Sequence, residues 1–388
     1  MLRPLVYLLL SKLTKISVIS SISIMDLMGN MGKVLVIGGC GRIGSSVAQD
    51  IALHTKAEVT VTSRSYEPPS NLSNKFLSLN LSDAVQLEKA IADCDLVVHC
   101  AGPFHNRDGS VLKCCIAEGV DYLDVSDHRS FYERVLPWQQ EAQAAGITAV
   151  LNTGIFPGIS NSMVKQGVEQ FEQPQKIHLS YVVAGSGGAG ITVMRTTFLG
   201  LKKSFAAWID GQWQQISPYT EREVIEFPEP YGKTGVYWFD VPETCTFADS
   251  FPVDTVITKF GSIPDWYNHL TWITAHIFPD PWVISPKGIE FFSRVSYAMT
   301  KVTDRFSGIG VAMRAEISVI RDGQKASHCL PMVHPNTAIA AGAGTGSIAQ
   351  LILEGKIKQP GIYPVEKVLS TELFQTAMQS RGIEIVDG

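Results

Sequence analysis

From residue 33 to about residue 152, short β-branched and aliphatic runs alternate with longer segments whose apolar positions recur at helical spacing. Strands are expected over 34–37, 59–63, 76–79, 96–100, 122–125 and 148–152. Helices are expected over 45–54, 85–92, 111–118 and 131–145, the last closed by Gly146. Strand–helix alternation of this kind predicts parallel βαβ units and an α/β, doubly wound sheet.

After Ile155-Phe156-Pro157-Gly158 the pattern changes. A helix is expected over 160–171, followed by longer alternating runs at 178–183, 236–241, 255–260 and 311–320. The last runs into Arg321-Asp322-Gly323-Gln324, a hairpin turn signal, so this half reads as antiparallel strands of an inserted α+β domain. Between them, Gly185-Ser186-Gly187-Gly188-Ala189-Gly190 opens an expected helix over 191–208. The tail returns to helices at 337–353, rich in glycine and alanine and suited to close packing, and at 372–380. The division expected is an extension over 1–31, a nucleotide-binding domain over 32–155, a substrate or dimerisation domain over 156–335, and C-terminal helices over 336–388 that fold back on the first domain.

A chain of 388 residues with 45% hydrophobic content can bury two cores. The net charge of -5 and the lack of a basic patch argue against nucleic acid as a partner. Seven cysteines, an odd number without a CxxC pair, suit free thiols in a reducing, cytoplasmic setting and offer no metal site. Residues 1–31 carry Arg3, Lys12 and Lys15, five serines and no acid before Asp26. They read either as a start called too early or as a targeting segment for organelle import. No stretch reaches the ~20 apolar residues of a membrane span.

The densest chemistry lies in Gly39-Cys40-Gly41-Arg42-Ile43-Gly44, directly after the first strand and at the opening of a helix. That context makes the GxGxxG pattern a dinucleotide-binding turn of a Rossmann domain: Gly39 for the tight turn, Gly41 for approach of the pyrophosphate, Gly44 for helix packing. The amides of the helix N-terminus, at Arg42, Ile43 and Gly44, then face the phosphates. NAD domains place an acid about 20 residues further on. Here Ser63 and Arg64 stand instead, favouring NADP(H) over NAD(H), because a guanidinium pairs with a 2′-phosphate that a carboxylate would repel. The other reading leaves Arg64 on the surface and gives the ribose to Glu67.

Ligands of open parallel sheets lie beyond the carboxyl ends of the strands. Cys100, Ala101, Gly102 and Pro103 follow the fourth strand and offer small residues beside the nicotinamide ribose. Hydride transfer needs a proton donor near the acceptor atom, and the local candidates are Asp124, Asp127, His128, His105 and Tyr122. Asp127 has an alternative role as a helix cap near Ser130, Tyr122 as a packed strand residue, His105 as surface. The loop 185–190 offers amides to a carboxylate or other anion, with Arg195 one turn inside, or is a plain connection. Trp266, Tyr267, Trp272, Ile273, Phe278 and Trp282 form an aromatic cluster. It reads as core, as the wall of an apolar pocket, or as a peripheral membrane contact.

The runs at 34–44, 95–104 (DLVVHCAGPF), 109–127 (GSVLKCCIAEGVDYLDVSD) and 154–161 (GIFPGISN) together resemble the saccharopine-dehydrogenase-like NAD(P)-binding oxidoreductases. The resemblance implies a Rossmann domain with an inserted domain and a C-terminal return, NAD(P)-linked oxidoreduction, and a homodimer. It carries pyrophosphate contacts onto Gly39, Gly41, Ile43 and Gly44, and nicotinamide-ribose contacts onto Ala101, Gly102 and Pro103. The expected activity is hydride transfer with an apolar small molecule. The alternatives are an opine-type condensation, for which Arg195, Lys202 and Lys203 are the cations on offer, and a non-catalytic NADP-binding sensor or assembly factor.

Overall fold

The computed structural model describes residues 31–65, 74–187, 190–321 and 323–386. Within it, Lys33–Ile37 (β1) buries every residue from Val34 to Ile37 and is an interior strand of a seven-stranded sheet. Glu58–Ser63 (β2) and Lys75–Ser78 (β3) extend the sheet on one side. Leu96–His99 (β4), Asp121–Asp124 (β5) and Thr148–Leu151 (β6) extend it on the other. All these pairings are parallel, and a parallel sheet needs cover on both faces. The strand order reverses between β1 and β4, which opens a crevice at their carboxyl ends.

One face is covered by Ala84–Ile91 (α2), Ser110–Glu118 (α3), Arg129–Val135 (α4) and Gln139–Ala145 (α5), through Leu87, Ile91, Leu112, Phe131 and Ala142. The single helix expected over 131–145 is two helices with a 3₁₀ turn, Leu136–Trp138, between them. Pro137 lacks the N–H that would continue the ladder. Arg42–His54 (α1) covers the opposite face with Val47, Ala48 and Ile51.

Ile159–Val168 (α6) leads into the second sheet. Its strands are Lys176–Ala184 (β7), Glu223–Phe227 (β10), Gly232–Trp238 (β11), Thr255–Ile263 (β12), Val311–Arg321 (β13) and Gln324–His334 (β14). The order is β10-β11-β12-β7-β13-β14. The sheet is mixed rather than wholly antiparallel, because β7 and β12 run parallel at its centre. Both are largely buried runs, a signature of parallel neighbours. The helix expected over 191–208 stops early, at Ile191–Leu199 (α7). Phe205–Ile209 (β8) then pairs with Gln212–Ile216 (β9) across Asp210-Gly211, both at positive φ as a two-residue hairpin turn demands.

Glu243–Ser250 (α8), Trp266–His276 (α9), Asp280–Ile284 (α10) and Pro286–Ser307 (α11) complete this half. The tail begins with Thr337–Leu353 (α12), which lies on α1. A Cβ on Gly342 would stand 2.7 Å from the Ser46 backbone, and one on Gly346 2.1 Å from Asp50 Oδ1, so only glycine permits this approach. The tail returns as a strand as well as helices: Gly361–Pro364 (β15) pairs parallel with β6 as the seventh strand. Val365–Val368 (α13) and Thr371–Gln379 (α14) follow, and Arg381 just beyond them clasps Asp50 of α1 at 2.7 Å.

Candidate functional site

The site is built from the glycine turn outward. A Cβ on Gly39 would lie 2.6 Å from Val61, and one on Gly44 2.3 Å from the Gly38 carbonyl oxygen, so packing alone fixes both as glycine. Gly41 differs. A Cβ there would meet only the Gly38 oxygen, at 3.2 Å, and its outer side is open. Gly41 is the N-cap of α1, with no side-chain cap and no acid in the first turn of the helix. An open approach at a helix N-terminus fits a diphosphate.

At the end of β2, Ser63 Oγ accepts from the Ser65 N–H at 3.0 Å. Arg64 is exposed beside it. The sequence reading missed Arg107, whose charge is close enough to that of Arg64 to join burial in lowering the Arg107 pKa. Arg107 Nε donates to the Ala101 carbonyl at 2.7 Å, which holds the second guanidinium against the loop after β4. Two neighbouring guanidiniums suit a phosphate. Glu67 lies outside the described residues.

The loop after β4 lies against the glycine turn: a Cβ on Gly38 would stand 3.0 Å from Ala101. On its other side Gly102 faces Thr192 of α7, and the Gly102–Pro103 peptide is cis. Cys100 is enclosed, and burial pushes its thiol well above the ordinary range.

Beyond this loop the two sheets enclose a cavity of about 180 Å³. Ile43, the loop Gly154–Pro157, Tyr181, Phe239 and Phe260 form its walls, with hydroxyls from Thr196, Thr197, Thr271 and Thr300. Phe156 stacks on Tyr181 with centroids 4.2 Å apart, joining the loop after β6 to the second sheet. Asn152 turns the chain into that loop at φ +62°, a left-handed conformation asparagine tolerates, with Nδ2 bonded to Ser126 O and Oγ at 2.8 Å. Among the described residues, no lysine or arginine lines the cavity, and Asp127 is the one carboxyl that does.

The other candidates are placed differently. His128, not Asp127, caps α4, its Nδ1 accepting from the Ser130 amide at 3.3 Å. Asp127 is thereby left facing the cavity, where burial pushes its pKa up to about 6 against a hydrogen bond from Thr196. His105 stands 5.8 Å from His128, ring to ring, and burial lowers both, His128 to about 4. Asp124 is fully buried and accepts from Ser126 Oγ at 2.6 Å and Asn152 N at 2.9 Å, tying β5 to β6. Tyr122 is buried in β5 with its hydroxyl 3.2 Å from His99 Nδ1. Arg195 points away from the cavity into an ion pair with Glu290 at 2.8 Å. The anion expected at the loop 185–190 is the protein's own Asp304, held by Ser186 N at 2.6 Å and Ser186 Oγ at 2.7 Å. Gly188 and Ala189 lie outside the described residues. The aromatic cluster is split, with Tyr267 lining the cavity and Trp266, Trp272 and Trp282 exposed.

The saccharopine dehydrogenase NADP binding domain matches residues 34–150. Over these residues the chain is similar to the saccharopine dehydrogenases. It is an oxidoreductase whose Rossmann domain binds NADP. The carboxyaminopropylagmatine dehydrogenase of Synechocystis sp. is 21% identical, over 92% of this chain and 98% of that protein. The carboxynorspermidine synthase of Vibrio cholerae is 22% identical, over 89% and 94%. The saccharopine dehydrogenase (L-Glu forming) of Saccharomyces cerevisiae shares the fold with a TM-score of 0.65 and 15% identity, over 92% and 99% of the two chains.

Proposed function

We propose that this saccharopine-dehydrogenase-like chain reduces a largely apolar carbonyl or imine, with Asp127 as the proton donor. The observation that carries the reading is the cavity itself, aromatic and hydroxyl-lined, with one carboxyl and no cation among the described residues. When bound, NADPH supplies the hydride. Gly41 and the first amides of α1 hold the diphosphate, and Arg64 with Arg107 takes the 2′-phosphate. Phe156 and Tyr181 exclude water from the reacting carbon. Asp127, protonated in a share of molecules because its pKa is raised, gives its proton to the oxygen or nitrogen that receives the bond's electrons, and regains one from solvent. Following NADPH absorbance against a panel of apolar ketones, enals and imines tests the reading; no consumption with any of them would defeat it.

A second reading has the relatives behind it. Two proteins matched over nearly their whole length are named for carboxylated amines, which favours an opine-type condensation. Against it, Lys202 is engaged by Asp280 and Arg195 by Glu290, and the amides of Ser186 by Asp304. NADPH consumption only with an amine and a keto acid together would favour it. The family resemblance also leads us to propose a cytoplasmic homodimer, for which a light-scattering mass twice that of the chain is the check.

A further inference from the structure

We propose that the outer face of α9, α10 and α11 seats this protein on an anionic lipid surface, with the cavity directly behind it. Trp266 is 43% exposed, Trp282 64%, Phe291 61%, Val302 66% and Phe306 87%. Along α11, positions 291, 295, 302 and 306 recur at helical spacing and form one apolar stripe. Tyr267 Oη meets Thr303 Oγ1 at 2.9 Å, and the Tyr267 ring stacks on Trp266 at 4.0 Å, which sets Trp266 beside the turn bearing Val302 and Phe306. The inner faces of the same helices line the cavity, through Tyr267 and Thr271 of α9 and Ser296 and Thr300 of α11.

The charge around the stripe selects the occupant. Every acid of this region is engaged: Asp265 by Arg222, Asp280 by Lys202, Glu290 by Arg195 and Arg294, Asp304 by Ser186. Lys287, Lys301 and Arg305 are exposed on α11, with no carboxylate in ion-pair distance among the described residues. A second copy of this face would set cation against cation, whereas anionic headgroups pair with all three while Trp and Phe enter the interface. No helix among the described residues is long and apolar enough to cross a membrane, so the contact is with the surface. A protein resting there on the helices that wall its cavity draws an apolar substrate from the lipid. This last point rests on the proposed activity; the docking does not, and its test reads binding rather than turnover.

The full-length protein is sedimented with vesicles of phosphatidylcholine alone, or with about one third phosphatidylglycerol added. Binding at least about tenfold stronger to the anionic vesicles, weakening as salt is raised, is expected. The double variant Phe291→Ser, Phe306→Ser is expected to lose that binding while keeping the parent's NADPH fluorescence titration, which reports an intact fold. Absence of binding to either vesicle overturns the proposal, as does equal binding by parent and variant. A light-scattering mass that the double variant halves also overturns it, because the stripe is then a contact between chains.

Discussion

Ser186 gives both its amide and its hydroxyl to the Asp304 carboxylate, at 2.6 and 2.7 Å, across 118 residues of chain. The loop after β7 and the C-terminal end of α11 are locked by that pair. A Cβ on Gly185, at φ +52°, would sit 2.1 Å from Asp304 Oδ1, so the loop is shaped around the carboxylate. The pair fills the amide cradle of this loop with the protein's own carboxylate. Asp304→Ala is expected to lower stability by about 2 kcal/mol, as charge-assisted bonds of this kind do, read as a lower denaturant midpoint.

Recognition of the 2′-phosphate is assigned to two guanidiniums. Arg64→Ala and Arg107→Ala are each expected to weaken NADPH binding by about 1.5–3 kcal/mol, roughly ten- to a hundredfold. NADH binding should barely change. Gly41→Val, which fills the open side of the turn, is expected to remove affinity for both. Fluorescence titration of each variant with both cofactors separates the outcomes, and equal losses for NADPH and NADH in the arginine variants would reassign them to the shared part of the ligand.

Glu243 is buried beside α6, accepts from Ser160 Oγ at 2.9 Å, and has its pKa pushed up to about 7 by burial. A carboxyl raised in the folded state binds its proton more tightly there than when unfolded, so its contribution to stability declines as pH rises. The decline begins near the unfolded value of about 4.3 and is complete above the folded one. Glu243→Gln keeps the acceptor for Ser160 and removes the titration. Its stability relative to the parent should rise from pH 4 to pH 7 and then stay level in paired melts.

The first half of the fold was legible because its signals are local. A strand, a glycine turn and a helix follow one another between Lys33 and His54, and the structure keeps them in the expected order. The inserted half was less so. Asp210-Gly211 is a hairpin signal, but the apolar run before it reads equally as the end of a helix, and pairing with 212–216 decides. Nothing along the chain announces that β7 and β12 are parallel, since they meet only after more than seventy residues. The same holds at the site. Asp127 and His128 are equivalent candidates in sequence, and a single capping bond from the Ser130 amide separates them. Arg107 carried one weak signal, a cation in the loop after a strand that ends in small residues. Asp304 carried none.

Close approach of α12 to α1 makes a further point about the tail. Gly346→Leu would drive a side chain into Asp50 and break its pairing with Arg381. Overpacking at one site costs about 1–3 kcal/mol, and loss of a buried ion-pair partner adds to it. Thermal melts should show this variant among the least stable of those proposed, and a melting point equal to the parent's would mean that α12 can move off α1 freely.

The most direct test of the account is the pH dependence of single-turnover NADPH oxidation, with an accepted apolar substrate, for the parent and Asp127→Asn. In the parent the rate should fall as pH rises through about 6, where Asp127 loses its proton. In the variant the rate should drop by about 10²–10⁴-fold and lose that pH limb, with NADPH affinity unchanged. A variant that keeps the parent's rate and profile would show that the proton comes from elsewhere, and the assignment of this cavity as the reaction site would fall with it.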